Sequence, residues 1–174
     1  MKYYLVAGEA SGDLHGSNLI KALRAKDTRA DIRCWGGELM QKAGATLVKD
    51  YKELAFMGFS EVIKNLPTIF RNLRFCKEDI IAHNPDVLVL IDYPGFNLRI
   101  AKWARQQGLK VVYYISPQVW AWKESRVKTM KQHIDRMLVI LPFEEKYYAD
   151  KWDWKVDYVG HPLLDAIEQE KSSL

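Results

Sequence analysis

The strongest constraint in this 174-residue sequence is a set of short runs, residues 3–7, 87–91, 111–115 and 137–141, that are apolar at consecutive positions instead of every second one. A strand that is apolar on both sides must be covered on both sides, as happens inside a parallel sheet with helices on each face. Weaker runs at 32–36, 46–48 and 156–159 bring the expected strands to seven. Helical periodicity fills the intervals at 17–26, 37–43, 62–83, 97–107, 124–133 and 143–151. Pro85, Pro94, Pro117, Pro142 and Pro162 fall at strand margins, where a missing N–H breaks no ladder. The pattern predicts an α/β fold with a doubly wound, mostly parallel sheet of about seven strands. Ligands of such sheets bind beyond the carboxyl ends of the strands, so the residues that follow each strand are where chemistry is sought.

Composition narrows the function classes. Twenty-six Lys and Arg against 22 Asp and Glu give a net charge of +4, scattered along the chain, which argues against duplex nucleic acid as a partner. The longest aliphatic runs have five residues, whereas a membrane span needs about 20. Lys2 and the apolar run after it superficially resemble a secretory leader, but Glu9 and Asp13 interrupt it, so the N-terminus is expected to belong to the fold. Cys34 and Cys76 have neither disulfide-framework nor metal-site spacing, which fits a reducing cytoplasm. No metal and no cofactor are expected.

Four segments that follow strands carry candidate chemistry. Gly8-Glu9-Ala10-Ser11-Gly12-Asp13-Leu14-His15-Gly16 is neither GxGxxG nor a Walker loop, since its glycines are four apart. It reads as a polar ligand site at a helix start or as a strand-to-helix turn capped by Ser11 or Asp13. Asp92, in Ile91-Asp92-Tyr93-Pro94-Gly95-Phe96-Asn97, ends a central strand where a carboxylate faces the cleft, and Asn97 is the better candidate to cap the following helix. Ser116-Pro117-Gln118-Val119-Trp120-Ala121-Trp122 precedes Lys123 and Arg126, a set able to stack on a sugar or acyl chain and to hold a phosphate. His161, after the last strand, overlooks the same edge. A further stretch, from Leu54 to Arg74, is more apolar than one helix face requires and carries Lys64, Arg71 and Arg74. It reads equally as a core helix behind a buried loop and as a segment that enters a headgroup region.

Taken in order, GEASGDLHG, LAFMGFSEVIKNLP, PDVLVLIDYPGFN, ISPQVWAWKESRV, LPFE and VGHPL resemble the N-terminal half of the lipid-A-disaccharide synthase family over nearly the whole chain. The resemblance implies the Rossmann-like N-terminal domain of a GT-B glycosyltransferase, with residues 1–163 forming the acceptor domain and 164–174 starting a connector to a second, nucleotide-sugar domain. It implies an inverting, metal-independent enzyme at the inner-membrane surface. The substrates would be UDP-2,3-diacylglucosamine and 2,3-diacylglucosamine 1-phosphate, and the products a β-1,6-linked disaccharide phosphate and UDP. Asp92 coincides with the family's essential Asp. Gly95 stands where several relatives have a second Asp, so that second carboxylate is not required here. His15 is not universal in the family, which weakens its claim as a base.

The substrate-binding positions implied are Gly8, Glu9, Ser11, Gly12, Asp13, His15, Ser116, Gln118, Trp120, Trp122, Arg126 and His161. Those facing acyl chains or the membrane are Phe56, Met57, Phe59, Val62, Ile63, Leu66, Ile69 and Phe70. Two rivals share the architecture: another UDP-sugar enzyme, such as a UDP-N-acetylglucosamine 2-epimerase or an undecaprenyl-linked N-acetylglucosaminyltransferase, and a non-catalytic lipid- or nucleotide-binding domain.

Overall fold

A computed structural model describes residues 1–54 and 66–164, apart from the side chain of Trp122. Seven strands, β1 (Lys2–Ala7), β2 (Asp31–Gly36), β3 (Thr46–Asp50), β4 (Val87–Ile91), β5 (Val111–Tyr114), β6 (Arg136–Val139) and β7 (Asp157–Tyr158), form one parallel sheet in the order β3-β2-β1-β4-β5-β6-β7. The order reverses between β1 and β4, which makes that pair the switch point of a doubly wound sheet. The helices are α1 (Ala10–Lys26), α2 (Glu38–Lys42), α3 (Leu66–His83), α4 (Pro94–Gln106), α5 (Val119–Trp122), α6 (Arg126–His133) and α7 (Pro142–Trp152).

The consecutive apolar residues are explained by two cores. Tyr3, Leu5 and Ala7 of β1 pack on one face of the sheet with Ile20 of α1, Met40 of α2 and Ile91. Tyr4 and Val6 point the other way, into a cluster that includes Leu73, Cys76 and Ile80 of α3, Ile100 of α4 and Tyr148 of α7. A part-buried ion pair ties α3 to β1 and β2: Asp79 accepts from the Arg33 guanidinium at 2.6 and 2.8 Å and from the Tyr4 hydroxyl at 2.5 Å. Burial pushes the Asp79 carboxyl up, but Arg33 and Tyr4 outweigh it and hold the group below the ordinary carboxylate range.

Sequence and structure part company at the sheet's carboxyl rim. α1 starts at Ala10, seven residues before the expected 17, so the glycine-rich segment is mostly helix and not a turn. β6 stops at Val139, leaving Ile140 and Leu141 on the rim, and β7 is only two residues long. The tryptophan segment forms a helical turn of its own, α5. Residues 55–65 and 165–174 hold part of the expected 62–83 helix and nearly all of the expected connector, which therefore lie outside the described residues.

Candidate active site at the carboxyl ends of β4, β5 and β6

A cleft of about 260 Å³ opens where β4, β5 and β6 end, lined by Asp92, Ser116, Gln118, Arg126 and Glu144 among others. Asp92 is half-buried on its wall. Burial raises its carboxyl above the ordinary range, the negative charge of Glu9 raises it further, and a hydrogen bond from the Tyr93 N–H opposes both. The result is a carboxylate more basic than usual, at the end of a central strand.

The backbone that presents it is strained. Asp92 and Tyr93 lie in the left-handed region with φ of 45° and 50°, and Ile115, at the matching end of β5, has φ of 68°. A left-handed conformation costs a non-glycine residue roughly 1–2 kcal/mol, and the cost is greater for a β-branched one. Hydrogen bonds hold the β4 end in place. The Asp92 N–H donates to Tyr114 O at 2.9 Å, and the Asp92 carbonyl accepts from the Tyr113 hydroxyl at 2.6 Å and from Asn97 Nδ2 at 2.8 Å. Asn97 Nδ2 also reaches Ile91 O at 3.2 Å and Val6 O at 3.3 Å, joining β4 to β1 across the switch point. Asn97 is thus a fully buried strut, and the expectation that it caps the helix is corrected: α4 begins at Pro94, with Tyr93 at its N-cap position.

The glycine-rich segment proves to be mainly architecture. A Cβ on Gly8 would lie 2.2 Å from the Tyr93 ring, which lies against the main chain just after β1. One on Gly12 would lie 3.0 Å from the Ala7 Cβ, and one on Gly16 would lie 2.7 Å from Met40 Sδ. These glycines let α1 and the Tyr93 ring lie close to the sheet. Asp13 is 3% exposed, and its carboxylate accepts from the Gly37 and Met40 N–H groups at 2.9 Å each and from Leu39 N–H at 3.2 Å. It holds the first turn of α2, a structural duty that engages both carboxylate oxygens. Neither Asp13 nor Ser11 caps α1, whose N-cap residue is Glu9 with no side-chain cap bond. Glu9 and Ser11 are exposed.

His15 is 8% exposed and sits near His161; burial first, and the His161 charge second, lower its pKa. The two histidines expected at this edge do come together. Ser116 reaches the cleft wall, but its buried hydroxyl is 2.6 Å from the Tyr148 hydroxyl and donates to Pro117 O at 3.1 Å, tying the end of β5 to α7. Gln118 is exposed at the mouth and Arg126 half-buried beside it. Trp120 meets Phe143 edge-on at 5.1 Å. On α3, Leu66 and Phe70 are 44% and 60% exposed, whereas Ile69 is partly buried and packs against the core. Phe56, Met57, Phe59, Val62 and Ile63 lie outside the described residues.

Sequence reasoning missed Glu144, a buried member of the cleft. Its carboxylate accepts from Ile140 and Leu141 N–H groups at 3.2 and 2.9 Å, and burial raises its pKa against those two bonds. Its position at the third residue of a helix that opens with Pro142, where a Glu can reach back to the N-cap N–H, is the signal that could have found it. Among the described residues no group of three or more His, Cys, Asp or Glu side chains is placed to hold a metal ion, and no helix is long and apolar enough to cross a membrane.

Comparison with solved structures shows the fold. The chain superposes on a UDP-GlcNAc 2-epimerase from Neisseria meningitidis with a TM-score of 0.65 at 13% identity, over 98% of this chain and 50% of that one. For the S. aureus protein MnaA the values are 0.67 and 11%, over 96% and 46%. Curated relatives are much more alike in sequence: the lipid-A-disaccharide synthases of Geobacter metallireducens, 46% identical over 97% of this chain, and of Trichlorobacter lovleyi, 44% identical over 94%. The chain spans 44% and 43% of their respective lengths. The model of the lipid-A-disaccharide synthetase family matches residues 3–174, and the chain belongs to that family.

Proposed function

We propose that this chain is the acceptor-side half of a glycosyltransferase of lipid A biosynthesis, with Asp92 as its general base. In this reading residues 1–163 form the acceptor domain and 164–174 begin the connector to a nucleotide-sugar domain. The complete enzyme joins UDP-2,3-diacylglucosamine to 2,3-diacylglucosamine 1-phosphate. The observation that carries the reading is the Asp92 carboxylate, made more basic by burial and by Glu9 and set on the wall of a cleft at the carboxyl edge.

The acceptor's 6-hydroxyl attacks the anomeric carbon of the donor while Asp92 takes the hydroxyl proton. A new C–O bond forms, the bond from that carbon to UDP breaks on the opposite face, and the configuration inverts. Arg126 at the mouth suits the acceptor phosphate, and Gln118 and Glu9 suit sugar hydroxyls. Stabilisation of the departing UDP, without a metal, falls to the other half of the enzyme. A Cβ at Gly95 meets nothing within 4 Å, so the missing second Asp reflects no steric demand.

Both substrates are acylated, and each buried CH₂ is worth about 0.8 kcal/mol. The exposed Leu66 and Phe70 at the start of α3 support an apolar landing surface there, and with it peripheral association with the cytoplasmic side of the inner membrane. The test is to titrate residues 1–174 with 2,3-diacylglucosamine 1-phosphate in detergent and to assay transfer with both substrates. Saturable binding, weakened by Arg126→Ala and without turnover, is expected. No binding would overturn the acceptor assignment, and clear turnover would place the donor site within this half.

A further inference from the structure

We infer that the Tyr113 hydroxyl is a positioning group for the reaction: with Asn97 it clamps the Asp92 carbonyl and so fixes the left-handed turn that aims the carboxylate into the cleft. The inference rests on the reading of Asp92 as the base. Two successive left-handed residues at the end of a strand are unfavourable, and they persist only where neighbours over-determine them. Here the neighbours are identifiable. Tyr113 lies within β5, paired with Leu90, and its fully buried hydroxyl meets the Asp92 carbonyl at 2.6 Å. Burial first, and then the Asp92 charge, push that phenol well above its ordinary value, so it remains a donor at any working pH.

Asn97 places Nδ2 2.8 Å from the same oxygen, and the Asp92 N–H is taken by Tyr114 O. Were the carbonyl released, residues 92 and 93 could relax toward the extended region, turning the carboxylate away from its place beside Glu9. Tyr113 touches no reacting atom in this scheme; it acts through the main chain of the base. The charged and titratable groups around the carboxylate are Glu9 after β1, its neighbour Tyr93, Tyr113 on β5, Lys123 and Arg126 after α5, and Glu144 on α7.

Tyr113→Phe removes one oxygen and keeps the ring. In the complete enzyme it is expected to lower kcat 10- to 100-fold with KM changed less than threefold. In residues 1–174, carbon NMR titration of the Asp92 carboxyl should show its midpoint falling toward the ordinary carboxylate value. Tyr4→Phe is the control: it also loses a buried tyrosine hydrogen bond, to Asp79 far from the rim, and should lower Tm while leaving kcat and the titration unchanged. Should Tyr113→Phe fail to fold, Asn97→Ser takes the other donor off the same carbonyl and is expected to act in the same direction. Wild-type kcat and an unmoved Asp92 midpoint in a folded Tyr113→Phe protein would overturn the inference. Activity retained by Asp92→Asn would instead overturn the reading on which it rests.

Discussion

Two segments leave adjacent strands at the switch point, and they divide the work in the opposite way to their appearance. The one after β1 is rich in glycine and polar side chains and resembles a ligand loop, yet it is mostly helix, with Asp13 spent on α2 and its glycines spent on close packing. The one after β4 offers a single carboxylate between apolar residues, yet there the backbone is strained and hydrogen-bonded at both the N–H and the carbonyl of one residue. Conspicuous polarity here is engaged in holding the fold, and conformational strain sits where the chemistry is proposed. A carboxylate that already accepts three N–H groups has little capacity left for a ligand. The Asp92 carboxylate accepts one N–H, that of Tyr93, and the residue takes the rest of its support through the main chain.

The sharpest way to break this contrast is Asp13→Ala. It leaves three N–H groups in the first turn of α2 without their acceptor and is expected to cost about 3 kcal/mol in denaturant unfolding. A loss well below that would return Asp13 to the list of ligand candidates. Gly8→Ala comes next. Its methyl group meets the Tyr93 ring, and displacing that ring should cost about 1–2 kcal/mol and also lower turnover, because Tyr93 is the second residue of the strained turn. Unchanged turnover would separate the two segments more completely than the packing implies. Glu9→Gln is the mildest: removing a charge that raises Asp92 should move the acidic limb of the pH–rate profile to lower pH with little change in Tm. A limb that stays in place would mean that Asp92 does not set it.

Much of the fold was legible in the sequence because it follows from local composition. Short runs that are apolar at every position fit doubly covered strands, and all seven strands formed close to the expected places and in parallel. The start of α1 was misread because Gly, Ser and Asp are turn residues by propensity. Their spacing of four, which sets small residues on one helical face against β1 and β4, was the stronger signal. The fate of Asp13 could not be read from its neighbours, since its partners lie 24 to 27 residues away on another helix. The clamp on Asp92 was hidden for a similar reason. Tyr113 lies 21 residues from Asp92, and the β4–β5 register that brings it near is a property of the assembled sheet. The position of Asp92, just past the end of a buried strand and on a cleft wall, was legible in the sequence.

The most direct test of the central claim is the turnover of Asp92→Asn in the complete enzyme, with its unfolding followed in parallel. Asparagine keeps the size and tolerates the left-handed backbone but cannot take a proton. A carboxyl whose pKa is raised by folding favours the native state below its unfolded pKa and loses that advantage as pH rises through the folded value. The account therefore predicts a kcat reduced by about 10²–10⁴-fold, together with a Tm at neutral pH equal to or above that of the parent, the gain shrinking as the pH falls. An Asp92→Asn enzyme that folds as well as the parent and retains its kcat would contradict it.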